Sequence, residues 1–241
     1  MRILEAKRLS MRFGGLLAVD QLDLQIDEGQ IFGLIGPNGA GKTTAFNCIA
    51  GVYQATSGEI FLHGESTSGQ RPWDLCRKGL ARTFQVVKPF ATKTVLYNVA
   101  VGGFARTSVR ARAEEKALEV LESLHLAEKK DALAGNLTIG ERKRLEIARA
   151  LATEPRLLLL DEVMAGLRPT EVDEMVRILK RLRDGGITIF LIEHIMRAVM
   201  SLSDRIVVIQ YGKKIAEGTP REIASDENVI KAYLGEEYGA A

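Results

Sequence analysis

Cysteine is scarce in these 241 residues: there are two, Cys48 and Cys76. Their spacing fits neither a disulfide framework nor a metal-binding repeat, and the pair suits a reducing compartment. No apolar run approaches the ~20 residues that a membrane-spanning helix needs. The opening residues 1–5 lack the apolar core of a secretory signal, so any membrane is expected to be met through a partner. Net charge is nearly absent too. The 33 Lys and Arg against 31 Asp and Glu leave +2, which gives no argument for a nucleic-acid partner. No internal repeat is visible. What remains is an ordinary balance, 46% apolar and 27% charged, in a chain long enough to bury a large core.

What the chain does have is concentrated in Gly36-Pro37-Asn38-Gly39-Ala40-Gly41-Lys42-Thr43-Thr44. The apolar residues 31–35 precede this stretch and residues 45–50 follow it. Strand, glycine-rich turn and helix in that order are the context a phosphate-binding loop requires. Glycines let successive N–H groups turn toward an anion, and a helix starting near Lys42 adds its positive dipole end. Lys42 can reach the β- and γ-phosphates, and the Thr43 hydroxyl is placed to ligate Mg²⁺. An ordinary glycine turn is the rival reading, and the two correct flanks weigh against it. The chain is expected to bind a nucleoside triphosphate.

Around the loop the hydrophobic pattern has two periods. Ile3, Leu9 and Phe13, then Val19, Leu22, Leu24 and Ile26, are interleaved with polar residues, which predicts half-exposed antiparallel strands. Residues 58–64 add a short strand between glycines. Phe13, ahead of Gly14-Gly15, suits either a core position or a stack on a purine face. A short amphipathic piece follows at residues 73–76, with Trp73 expected as a packing anchor. Residues 80–85 read as a strand ending in the amide of Gln85. From residue 86 to 134 come a Pro89-Phe90 turn, an apolar stretch at 95–101 and a charged helix. In that helix Ala113, Ala117, Leu118, Leu121 and Leu124 fall at helical spacing above a solvated charged face.

Thr138 suits the cap of the next helix, whose buried stripe is Leu145, Ala148, Leu151 and Ala152, with Pro155 beyond its end. Residues 157–160 read as a fully buried strand leading to Asp161 and Glu162. Thr170, with Glu171, Asp173 and Glu174, marks a helix start, and Gly185-Gly186 stops that helix. Residues 187–192 are another buried strand, leading into Glu193-His194. Residues 205–209 are one more, before a Tyr211-Gly212-Lys213 hairpin turn. Thr219-Pro220-Arg221-Glu222 is a capping box. Strands alternating with helices after a period-two start indicate an α/β sheet with an antiparallel edge. The expected division is a core of residues 1–85 and 152–241, with residues 86–151 inserted as a helical subdomain.

A buried strand ending in Asp161-Glu162 suits the second half of a nucleotide site. The aspartate supports Mg²⁺ and the glutamate orients or deprotonates water. Neither that pair nor His194 is specific alone, since a lone histidine is more often structural. Together and in this order, the motifs resemble the ATP-binding subunits of ABC transporters over almost the whole chain. Residues 36–44 match Walker A, Gln85 the Q-loop, and Leu137-Thr138-Ile139-Gly140-Glu141 the signature. Residues 157–161 match Walker B, and His194 the switch histidine. Phe13 takes the place of the adenine-stacking aromatic.

The resemblance implies a P-loop NTPase core with a mostly parallel sheet, an N-terminal antiparallel β subdomain and an inserted helical subdomain. It implies ATP and Mg²⁺ as ligands. Lys42 and the loop amides would hold phosphate, and Thr43, Gln85 and Asp161 the metal. Glu162 would be the general base, with His194 orienting γ-phosphate and water. It also implies head-to-tail pairing with a second ABC ATPase subunit, the same chain or another, whose nucleotide meets residues 137–141 in trans. Transmembrane permease subunits, and through them an extracytoplasmic substrate-binding protein, complete the implied assembly at the cytoplasmic face of the membrane. Within the family, residues 13–19, 81–85, 191–194 and 229–236 are similar to the branched-chain amino acid uptake group. Val86, Val87, Pro89 and Phe90 are then candidates for the permease contact, with simple packing as the rival.

Three signature positions depart from the usual Leu-Ser-Gly-Gly-Gln: Thr138, Ile139 and Glu141. Thr138 keeps a hydroxyl and Gly140 keeps a close backbone approach. Val163 stands where proline is common, and Arg168 reverses the charge of the usual D-loop aspartate. Other members of the family are rivals for the function: a lipopolysaccharide-export ATPase, or a soluble ABC protein, which would usually carry tandem units or zinc-binding cysteines. A P-loop kinase or GTPase would lack the signature helix, and no Asn-Lys-x-Asp run is present.

Overall fold

The computed structural model describes residues 1–83 and 88–238. The period-two opening folds as an antiparallel hairpin of β1 (Arg2–Phe13) and β2 (Leu16–Asp27), extended by β4 (Ser57–Leu62) and β5 (Glu65–Ser66) in the order β2-β1-β4-β5. Along β2, Leu22, Leu24 and Ile26 are buried while the residues between them are exposed, the signature of a strand covered on one face.

The second sheet comprises β3 (Ile31–Ile35), β6 (Leu80–Arg82), β7 (Leu157–Asp161), β8 (Thr188–Ile192), β9 (Arg205–Gln210) and β10 (Lys213–Gly218). Its order is β10-β9-β3-β8-β7-β6. Every pairing is parallel except β10 against β9, joined across the hairpin turn expected at Tyr211-Gly212-Lys213. All residues of β3, β7 and β8 are buried, as continuous apolar strands must be when both faces are covered. Alternate residues serve opposite cores. Leu157, Leu159, Phe190 and Ile192 pack with α1 (Lys42–Ile49) and the antiparallel sheet; Leu158, Leu160, Ile189 and Leu191 pack under helices on the other side.

Those helices are α3 (Val95–Gly103), α4 (Arg110–Ser123) and α5 (Ile139–Leu151) of the inserted subdomain, then α6 (Pro169–Asp184), α7 (Met196–Leu202), α8 (Pro220–Ser225) and α9 (Glu227–Tyr238). The expected stripe of α5 (Leu145, Ala148, Leu151) is buried, as are Ala113, Ala117 and Leu121 of α4.

One expectation fails. Trp73, on α2 (Pro72–Arg77), is 60% exposed, and Leu75 of the same short helix is the buried anchor. Trp73 sits on the outer face of a helix of under two turns, which has one side to bury. The helix start expected at Thr170 and the acidic residues after it is present as α6, with Pro169 its first residue and Glu171 in its first turn. Arg168 precedes it, its backbone N–H bonded to Glu171 Oε2 at 2.9 Å. Proline has no N–H to lose and suits the first helical position. The strand expected to end at Gln85 is described only to Arg82; Gln85, Val86 and Val87 lie outside the described residues.

The topology places the site. β3, β8 and β7 are parallel neighbours, so their C-terminal ends lie on one side. The segments leaving them at residues 36, 162 and 193 therefore converge, where ligands bind in open α/β sheets.

Candidate nucleotide-binding site

The loop after β3 is shaped by glycines at positive φ: Gly39 at 75° and Gly41 at 99°. Lys42 opens α1 and is 6% exposed. Its ammonium donates to the carbonyl oxygens of Gly36 (2.6 Å) and Pro37 (2.8 Å). The charge is thus held over the loop, where arriving phosphate oxygens could replace those two acceptors. Residues 38–44 line a cavity of about 500 Å³ with Phe13, Leu16, Glu162, His194 and Tyr211, a size suited to a small-molecule ligand. Phe13 is 43% exposed and not a core residue, and Tyr53 packs edge-on to it with ring centroids 5.4 Å apart.

Asp161, the last residue of β7, is 1% exposed. Arg82 donates to its Oδ2 at 3.0 Å, while Oδ1 is buried with no hydrogen-bond donor among the described residues. Burial pushes this carboxyl up and Arg82 pulls it back down. A buried carboxylate oxygen without a donor is costly, and a cation at the phosphates would satisfy it. Among the described residues no group of three or more His, Cys, Asp and Glu could hold a metal by itself. A Mg²⁺ here would share its ligands between Asp161, the Thr43 hydroxyl and phosphate, the usual arrangement for this ion. The residues present fit it.

Glu162 leaves the strand at φ 51°, a left-handed backbone that is uncommon for a side-chain-bearing residue. That turn places its Oε1 2.6 Å from His194 Nε2, so two residues 32 apart in sequence meet at the cavity. The segments leaving β3, β7 and β8 thus bring residues 38–44, Glu162 and His194 to one cavity with Phe13, while Asp161, at the end of β7, precedes Glu162 but does not line that cavity. Residues 137–141 are not among them. Thr138 and Glu141 close a reciprocal box at the start of α5, with distances of 3.3 and 2.8 Å. Thr138, Gly140 and Glu141 line a different cavity of about 530 Å³, alongside Arg144, Arg168 and Glu171. A Cβ on Gly140 would lie 2.8 Å from Glu171 Oε1, so a side chain there would have to displace that carboxylate.

Two further residues at these strand ends, Arg82 and Glu193, do not stand out in the sequence. Arg82 reaches Asp161 only because β6 pairs with β7, and no local pattern announces that. Glu193 had a signal, a carboxylate closing an apolar strand, and it proves 2% exposed. It accepts the N–H of Met164 at 2.8 Å and of His194 at 3.3 Å. Burial, partly offset by those bonds, pushes its carboxyl from 4.5 up to about 7. Below pH 4.5 both folded and unfolded chains hold this proton. Between 4.5 and 7 the unfolded chain loses it first, so stability falls as pH rises, by about 3 kcal/mol in all. Urea unfolding at pH 5 and pH 8 should show this loss in the wild type and a smaller one in Glu193→Gln; parallel losses would refute the assignment.

A family model described as ABC transporter matches residues 19–165. The chain belongs to the ABC transporter ATP-binding subunits. It is an ATP-binding and ATP-hydrolysing subunit with the α/β fold of that family. A second model, branched-chain amino acid ATP-binding cassette transporter, matches residues 213–239. This ABC subunit is 46% identical to the high-affinity branched-chain amino acid transport ATP-binding protein BraF of Pseudomonas aeruginosa, and 43% to LivG of Escherichia coli K12, each over 97% of the chain and 98% of the relative. The lipopolysaccharide export system ATP-binding protein LptB of Escherichia coli K12 is 36% identical over 99% of both. Among solved structures, a nucleotide-free ATP-binding cassette from an ABC transporter superposes with a TM-score of 0.89 at 31% identity, covering 97% of this chain and 99% of that one.

Proposed function

We propose that this ABC ATPase powers import of branched-chain or related amino acids. The observation that carries the reading is the branched-chain model's match to residues 213–239, which lie outside the motifs common to the whole family. The higher identity to BraF and LivG than to LptB supports it.

In this reading Lys42 exchanges its two carbonyl contacts for the β- and γ-phosphates, joined by the amides of the loop. Phe13 receives the adenine at the cavity. Thr43 and Asp161, with Gln85 from outside the described residues, hold Mg²⁺, which when bound neutralises phosphate charge. Glu162 takes the proton of the attacking water, and its bond to His194 fixes the rotamer of both side chains. Residues 137–141 complete the nucleotide site of a second ATPase subunit, by the amides and dipole of α5. Their separation from the phosphate-loop cavity supports a site built from two chains.

No described helix is long and apolar enough to cross a membrane, so in this reading the subunit is held at the cytoplasmic face by permease subunits. A groove of about 260 Å³ between the core and the inserted subdomain supports their docking: Val52, Leu80, Val101 and Ala150 line it with Arg149. Nearby, Phe90 is 48% exposed and is fixed by the buried Asn98, whose Oδ1 accepts its N–H at 2.8 Å. Val101→Glu should reduce permease co-purification at least tenfold while the isolated subunit hydrolyses ATP normally. Unchanged co-purification would remove the groove from the proposal.

The function itself is tested by reconstituting the subunit with its permeases in liposomes. Leucine, isoleucine or valine delivered by the binding protein should stimulate ATP hydrolysis. Stimulation by lipopolysaccharide instead would favour the exporter reading.

A further inference from the structure

Lys143 lies one turn into α5 and is 9% exposed. An ammonium so buried is costly unless it is bonded. Its Nζ donates to the backbone carbonyl oxygen of Glu162 at 2.9 Å. On the other side, the N–H of Glu162 donates to the carbonyl of Ile192 at 2.9 Å. The left-handed backbone of Glu162 is therefore pinned at both peptide groups: by β8 through its N–H, and through its carbonyl by α5 at 2.9 Å and, less closely, by the N–H of Ala165 at 3.3 Å. A non-glycine residue stays in such a conformation only when its surroundings over-determine it. The next turn of the loop is held as well, through Met164 N–H on Glu193.

We infer that Lys143 is a positioning residue: it ties the orientation of Glu162 to the placement of the helix that carries residues 138–141. The inference rests on the two-chain reading proposed above. There, the start of α5 faces one nucleotide and Glu162 serves the other. One hydrogen bond then joins the two, a single turn of helix from the signature residues. A displacement of α5 that stretches this bond lets the φ of Glu162 relax and takes the carboxylate out of line.

The test is steady-state ATP hydrolysis by the full chain with Lys143→Met, which keeps the aliphatic stem and removes the donor, and Lys143→Arg, which restores a cationic donor. The expected result is a fall in kcat of about tenfold in Lys143→Met with the KM for ATP within twofold of wild type, and recovery of at least half the activity in Lys143→Arg. Wild-type kcat in the methionine variant overturns the inference. So does a KM that rises in step with the loss, or an arginine variant no better than methionine, since either points to a general packing role. Should Lys143→Met not fold, Lys143→Gln carries the same test through its neutral donor, with intermediate kcat expected and a wild-type or methionine-like unfolded outcome counting against the inference. A second readout separates the two readings. Glu162→Gln with Lys143→Met should still form the ATP-dependent dimer, because Lys143 positions the base and does not bind nucleotide. Loss of that dimer only when Lys143→Met is added overturns the inference, whereas its absence in Glu162→Gln alone counts against the two-chain site.

Discussion

Glu162→Gln is expected to bind ATP normally and to lose roughly 10²-fold or more of its turnover, the effect of removing a general base. The substitution is close to isosteric. Its backbone bonds to Ile192 and Lys143 do not involve the side chain, and the amide oxygen can still accept from His194, which now lies 2.6 Å from Oε1. What disappears is the proton acceptor and its negative charge. ATP should then be trapped uncleaved between two subunits, and size-exclusion chromatography with ATP should show a dimer that the wild type forms only transiently. Phosphate release within a few fold of wild type would remove Glu162 from the role of base.

The parts of the site that were legible in the sequence are those where chemistry sits at the end of a strand. Asp161 closes β7, and His194 follows the end of β8. Because the two strands are parallel neighbours, reading their ends along the chain amounts to reading one side of the sheet. The phosphate loop was legible for the same reason. Arg82 was not. Its partner Asp161 lies 79 residues away, and the pairing depends on which strand flanks β7, which hydrophobic periodicity does not specify. Lys143 was hidden differently: on a helix rich in cations, nothing marks the one whose ammonium turns inward. Trp73 misled because size argues for burial, whereas a short surface helix buries the residue that faces the sheet, here Leu75.

Within the phosphate loop, Gly41→Ala and Gly39→Ala should have very different consequences although both glycines have positive φ. A Cβ on Gly39 would meet nothing within 4 Å. Alanine there bears only the left-handed backbone cost, about 1 kcal/mol. A Cβ on Gly41 would overlap the carbonyl oxygen of Ala18. That oxygen belongs to the backbone of β2 at Ala18, the residue left unpaired between Met11↔Val19 and Arg12↔Leu17; it is main chain and not the mobile end of a side chain, so the loop has to shift against it. Strain and overlap together should cost about 3 kcal/mol in urea unfolding. The displacement carries Lys42, the next residue, and the first amides of α1 away from the position proposed for their phosphate contacts, so ATP affinity should fall at least tenfold, measured by titration with a fluorescent nucleotide. Equal losses at Gly39 and Gly41 would mean that the loop's glycines serve backbone conformation alone. The expected inequality means that the phosphate loop is pressed against the antiparallel sheet, and that β2 sets how far its amides reach.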